Sequence, residues 1–186
     1  GFNDNKAIHA DSLVFDEVAG QFSSRYSAVP SIYVENKDII LSPDPLNPDV
    51  IYQNGTGQWG NFYNNVTETS IKLVLNDNSD INKVLRFIEF NSIVRNDNKV
   101  IDRFVTITAF KITTEYQNTG KIDFSTGRIK RKFDKWRLKI PRVSKGVETP
   151  QRLRSTHFIL TLYFDNTQNK ELILNRIMYY YDEQSF

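Results

Sequence analysis

The chain has 186 residues, 39% of them hydrophobic and 13% aromatic, with a net charge of only +2. That composition excludes disordered and fibrous classes and suffices for one domain with a core. With no cysteine it excludes disulfides, thiolate nucleophiles and cysteine-bound metals. No apolar run nears the roughly 20 residues that cross a bilayer, so no membrane anchor is expected.

Residues 1–12 are read as an extended lead-in to a single β-rich domain spanning 1–186. Alternating apolar and polar positions predict strands at 31–35, 38–41, 70–76, 87–95, 104–115, 135–140, 156–165 and 172–181. The fold class is therefore mainly β, antiparallel and sandwich-like, with one or two short helices. The loop Ser42-Pro43-Asp44-Pro45-Leu46-Asn47-Pro48 cannot continue a sheet, because proline lacks a donor and fixes φ. It could bound a small amino-terminal subdomain, but strand-like residues resume at Val50-Ile51-Tyr52. A helix is expected at 79–85, where Ser79 could cap and Ile81, Val84, Leu85 and Ile88 recur at helical spacing. Near the end, Phe158, Leu160, Leu162 and Phe164 share one face, with His157, Thr161 and Tyr163 on the other. The polar loop Asn166-Thr167-Gln168-Asn169 then predicts a hairpin formed by the last thirty residues.

Catalytic motifs are weak. Gly55-Thr56-Gly57-Gln58-Trp59-Gly60 matches a dinucleotide fingerprint in form, but a poor helix start follows, so it reads as a turn-rich loop. His9 and His157 lack a nucleophile or metal-ligand spacing beside them, and Asp44 and Asp49 flank a proline turn without further ligands. The triplets beginning at Asn54 and Asn65 are expected by chance in so asparagine-rich a chain. No catalytic, cofactor or metal residue is nominated, and no cofactor is expected.

Charge is more informative. Residues 127–142 hold eight lysines and arginines in sixteen positions; residues 121–160 carry a net +9, while residues 1–99 carry −5. Strand alternation over 135–140 puts Trp136, Leu138 and Ile140 on a core side and Lys135, Arg137 and Lys139 in a row opposite. Three uses remain open for that row: solvated or internally paired charge, a seam against another protein surface, and, less favoured, a nucleic-acid grip. A nucleic-acid binder needs aromatics beside its cations for stacking, and Trp136 lies on the other side. A carbohydrate-binding β module is a further alternative, with Trp59 and Tyr63 as an aromatic platform among asparagines.

The ordered motifs Phe15-Asp16-Glu17-Val18, Phe22-Ser23-Ser24-Arg25-Tyr26, Val29-Pro30, Asn82-Lys83-Val84, Phe90-Asn91-Ser92 and Glu115-Tyr116-Gln117-Asn118-Thr119-Gly120 carry a family likeness. It is strongest at Ile129-Lys130-Arg131-Lys132-Phe133, Trp136-Arg137-Leu138 and Ile140-Pro141-Arg142, and continues through Arg152-Leu153-Arg154, Phe164-Asp165-Asn166 and Leu172-Ile173-Leu174. In these the chain resembles the tail stabilization or muzzle proteins of crAss-like bacteriophages, which close the distal end of a short tail. The resemblance implies a structural, non-enzymatic virion protein of the phage tail, present in several copies in a ring-like assembly. Such proteins are much longer chains ending in this pattern. Because this one starts at Gly1 and has Met178 as its single methionine, it is expected to be a carboxy-terminal piece of a larger precursor. Its implied partners are other copies of itself, the rest of that precursor and other tail proteins. On this reading Lys130, Arg131, Lys132, Lys135, Arg137 and Lys139 form an interface with an acidic neighbouring surface.

Overall fold

The computed structural model describes residues 12–18, 20–26, 29–143 and 149–183; the lead-in 1–11 and His9 lie outside them. Two compact units are present, residues 1–65 and 66–186.

In the first unit, β1 (Ser12–Asp16) pairs with β2 (Gln21–Tyr26). A second sheet runs in the order β3 (Val34–Asn36), β4 (Ile39–Pro43), β5 (Ile51–Asn54). The proline-rich loop connects β4 to β5, and Asp44 spends its carboxylate on the backbone N–H of Leu46 at 2.9 Å. Residues 55–60 form the expected loop of turns, with no helix behind them. A two-stranded ribbon of β6 (Asn61–Phe62) and β7 (Asn65–Val66) follows. Its two-residue turn places Tyr63 at φ 52° and Asn64 at φ 61°, the positive pair whose twist matches a tight hairpin.

The second unit is a sandwich of antiparallel sheets. One sheet has the order β12 (Ile122–Asp123), β11 (Ala109–Thr113), β16 (Phe158–Phe164), β8 (Thr69–Leu75). The other is organised by the long strand β9 (Lys83–Arg95). Along one side of β9 lie β10 (Ile101–Asp102), β14 (Lys135–Lys139) and β15 (Arg154–Ser155), with β13 (Ile129–Lys132) beyond β14. Along the other side runs β17 (Glu171–Glu183). Both sheets feed one apolar core: Ile88, Phe90, Trp136 and Leu138 from the larger, Phe110, Ile112, Phe158, Leu160 and Leu162 from the smaller. The face read on β16 is thus the core face. Thr161 on its opposite side is buried as well, because Lys72 and Lys111 flank it in register.

Two expectations are corrected. The helix at 79–85 is absent: residues 79–82 form a turn and bend, and β9 begins at Lys83. In the pairing with β17, Tyr180 faces Phe87 while Tyr181 faces Leu85, so Arg86 is skipped as a bulge. A bulge inserts one residue and flips the alternation, so Val84, Leu85 and Ile88 are all buried at a spacing that imitates a helix. Among the described residues the one helical element is a 3-10 turn at Phe124–Thr126.

The carboxy-terminal hairpin is absent too. β16 pairs with β8 and β11, whereas β17 pairs with β9 in the opposite sheet. The loop 165–170 is therefore an arch between layers. Its shape is fixed by Asn166, whose Oδ1 accepts from the Lys170 N–H at 2.6 Å and whose Nδ2 donates to the Lys170 carbonyl at 2.7 Å.

Candidate subunit interface

The hairpin of β13 and β14 carries the charge concentration. Antiparallel partners point to the same side of a sheet, so the register divides the cations. Ile129 faces Leu138 and Arg131 faces Trp136 on the core side; Lys130 faces Arg137 and Lys132 faces Lys135 on the outer side. Trp136 is 5% exposed and Leu138 fully buried, which fixes the row of Lys135, Arg137 and Lys139 outward as the alternation predicted. Burying an indole and an isobutyl group sets this orientation; turning the strand over would place charge in the core.

The six cations named from the sequence are not equivalent. Arg137 is committed internally: its Nε and Nη2 donate to Glu89 Oε1 at 2.9 and 2.5 Å. Tyr180 Oη donates to the other carboxylate oxygen at 3.4 Å. The hydrogen bond from Arg137 holds the Glu89 carboxyl below its ordinary pKa, with the Arg137 and Lys135 charges adding to it against the effect of burial. The guanidinium also lies 4.2 Å from the Phe87 ring, which stacks on Tyr180 at 4.3 Å.

Arg131 is committed in another way. It sits at the sheet edge and donates to the carbonyls of Phe133 at 3.1 Å and Arg103 at 2.7 Å, with Asp134 at 3.4 Å. Among the described residues the side chains of Lys130, Lys132 and Lys139 have neither hydrogen bond nor ion pair. Lys135 acts only at a distance, on Glu89. So four lysines face outward, while both arginines are used within the fold.

Sequence reasoning missed the hairpin tip. The turn joining β13 to β14 is Phe133-Asp134, with Phe133 at φ 56° and 87% exposed. A bulky L-residue in this left-handed region costs roughly 1–2 kcal/mol, and here its ring gains no burial. The bonds of Arg131 lock the tip and tie it to the loop of Arg103, whose next residue, Phe104, is 84% exposed. An aromatic where tight turns take Asn or Gly was the signal available at Phe133. Phe104 had none, since the expected strand 104–115 would have lined it up with the core; the strand starts only at Ala109.

His157 is partly buried beside Thr156 Oγ1 at 3.4 Å, and Asp49 is exposed in the loop between β4 and β5.

Residues 57–143 match the family described as Crassvirus muzzle protein C-terminal domain. That span, just under half of the chain, includes the strongest motifs of the likeness, from Asn82-Lys83-Val84 to Ile140-Pro141-Arg142, and the whole β13–β14 hairpin. The crAss-like muzzle resemblance is shown over this stretch. No curated protein matches the chain.

Proposed function

We propose, with residues 57–143 belonging to the carboxy-terminal region of a crAss-like phage muzzle protein, that the chain is a structural part of the distal tail and works through subunit interfaces. The observation that carries this is Phe133, an exposed aromatic in a strained turn at the end of a four-lysine face. Within one subunit the arrangement costs stability and yields nothing; against a neighbour, Phe133 and Phe104 bury apolar area and the lysines find carboxylates. Aromatic anchors in a desolvated centre with charges around them is how protein interfaces distribute energy. The charges set register and encounter rate more than affinity. The chemistry is association, not catalysis, and the partners are other copies, the rest of the precursor and other tail proteins.

The test is Phe133→Asn introduced into the phage. Asparagine tolerates positive φ, so the isolated chain stays folded, while the amount of this protein in purified particles drops at least about tenfold. Particles with normal content and normal tails would refute the reading.

A second use of the same face has one observation behind it: Phe87 and Tyr180 stack on the lysine side of the sheet. This gives a nucleic acid the aromatic neighbour that Trp136 does not. Against it, Phe87 is already covered by Tyr180 and Arg137, leaving little ring surface for a base. Retardation of short DNA that falls steeply with salt would favour this use over the protein seam.

A further inference from the structure

The first unit holds a cleft of about 1050 Å³, at the upper end of the ~300–1,000 Å³ usual for ligand sites. Its wall combines aromatic rings and amides, chiefly Tyr33, Tyr52, Trp59 and Tyr63 with Gln53 and Asn61, with aliphatic groups and one carboxylate, Glu35; no lysine, arginine or histidine lines it among the described residues.

The wall is built rather than incidental. The buried hydroxyl of Ser42 meets Tyr63 Oη at 2.8 Å and accepts from Asn54 Nδ2 at 2.8 Å. Asn64 Nδ2 donates to Tyr52 Oη at 2.8 Å, and the Tyr52 and Tyr63 rings meet edge to face at 5.3 Å. Two rings are thereby fixed before any ligand arrives, which lowers the ordering cost of binding. Trp59 is 48% exposed in a loop whose Gly57 and Gly60 take φ 86° and 73°, values an L side chain resists. Asn61 adds a demand: its Oδ1 is buried without a hydrogen-bond partner, and such an atom is costly unless a ligand satisfies it.

Flat rings offer a π face to polarised C–H groups, and amides can bond neighbouring hydroxyls. A hydroxyl can donate to the unpartnered Oδ1 of Asn61. With no cation in the wall, phosphate, sulfate and nucleic acids have nothing to hold them. We propose that this cleft binds a neutral carbohydrate, a function independent of the cationic face in the second unit.

The experiment uses the full chain on an array of neutral glycans, then electrophoresis through gels containing dextran, mannan, laminarin or arabinoxylan, with heparin as the anionic counter-probe. At least one neutral glycan retards the chain, at low and high salt alike. Trp59→Ala and Tyr33→Ala each weaken this about tenfold or more, and replacing Lys130, Lys132, Lys135 and Lys139 by Gln leaves it unchanged. Fluorescence of the buried Trp136 in Trp59→Ala verifies an intact second unit, and Tyr33→Ala gives a second probe if the first variant misfolds. Silence across all neutral glycans overturns the proposal. So does retardation that survives both cleft variants, or that disappears with salt and with the lysine variant. Altered self-association of Trp59→Ala without glycan binding marks the cleft as a protein seam and overturns it equally. None of these outcomes bears on Phe133, so the two proposals fail separately.

Discussion

Lys83 and Phe133 break the same rule in opposite directions. Lys83, at the start of β9, is a fully buried cation; Phe133, at the tip of β13–β14, is an aromatic in water. At Lys83 the structure supplies what burial demands. The ammonium donates to the carbonyls of Asn78 and Thr156, the latter at 2.5 Å, and Asp77 lies 3.7 Å away. It thereby ties the turn after β8 and the approach to β16 to the central strand. At Phe133 the second unit offers no comparable compensation. A buried charge with its partners inside is a lock; an exposed ring with none points to a surface outside.

The largest test of that contrast is Lys83→Met, which keeps the stem but removes the charged donor from the carbonyls of Asn78 and Thr156. Stability should fall by about 3 kcal/mol or more, read from urea unfolding of the isolated chain; a loss under about 1 kcal/mol would remove the lock. Phe133→Asn goes the other way, raising the stability of the isolated chain by about 1 kcal/mol as the turn relaxes, even as it weakens assembly.

Titration sharpens the same division. Burial, followed by its bond to Asp77, raises the Tyr179 pKa to about 12. A group raised on folding stabilises below its unfolded value and loses that contribution as pH rises through the folded one. The Lys83 end should therefore loosen between about pH 10 and 12, visible as Tyr179 ionising later than ordinary tyrosines; Tyr179→Phe should flatten that limb. Asp77, lowered mainly by its hydrogen bond to Tyr179, and Glu89, lowered mainly by Arg137, act in the reverse sense. Their contribution is present above the ordinary carboxylate range and is lost as pH falls through their depressed values. Glu89→Gln should reduce the acid sensitivity of stability. Smallest of all, Lys130→Gln or Lys139→Gln should change stability by no more than about 0.5 kcal/mol, since neither side chain has a partner to lose. A larger change would mean that these lysines serve the fold rather than an interface.

The β class, the inward face of Phe158 to Phe164 and the outward row of Lys135, Arg137 and Lys139 were readable in the sequence, because alternation is a local property of each strand. The family likeness was readable too, in the order of motifs within residues 57–143. The helix misread at 79–85 shows the limit: one bulged residue, Arg86, converts a two-residue period into something like a helical one. The hairpin misread shows another, since a polar loop dictates that the chain turns but not which sheet receives it.

Sequence alone thus determined which side of each strand seeks water, since side-chain polarity is decided residue by residue. Tertiary structure decided which cations would be spent internally. Arg137 finds Glu89 and Arg131 finds the Arg103 carbonyl only because strands far apart in the chain pair in one register. It also decided that Phe133 would be left outside: a two-residue turn between paired strands has no interior to offer, whatever side chain it carries.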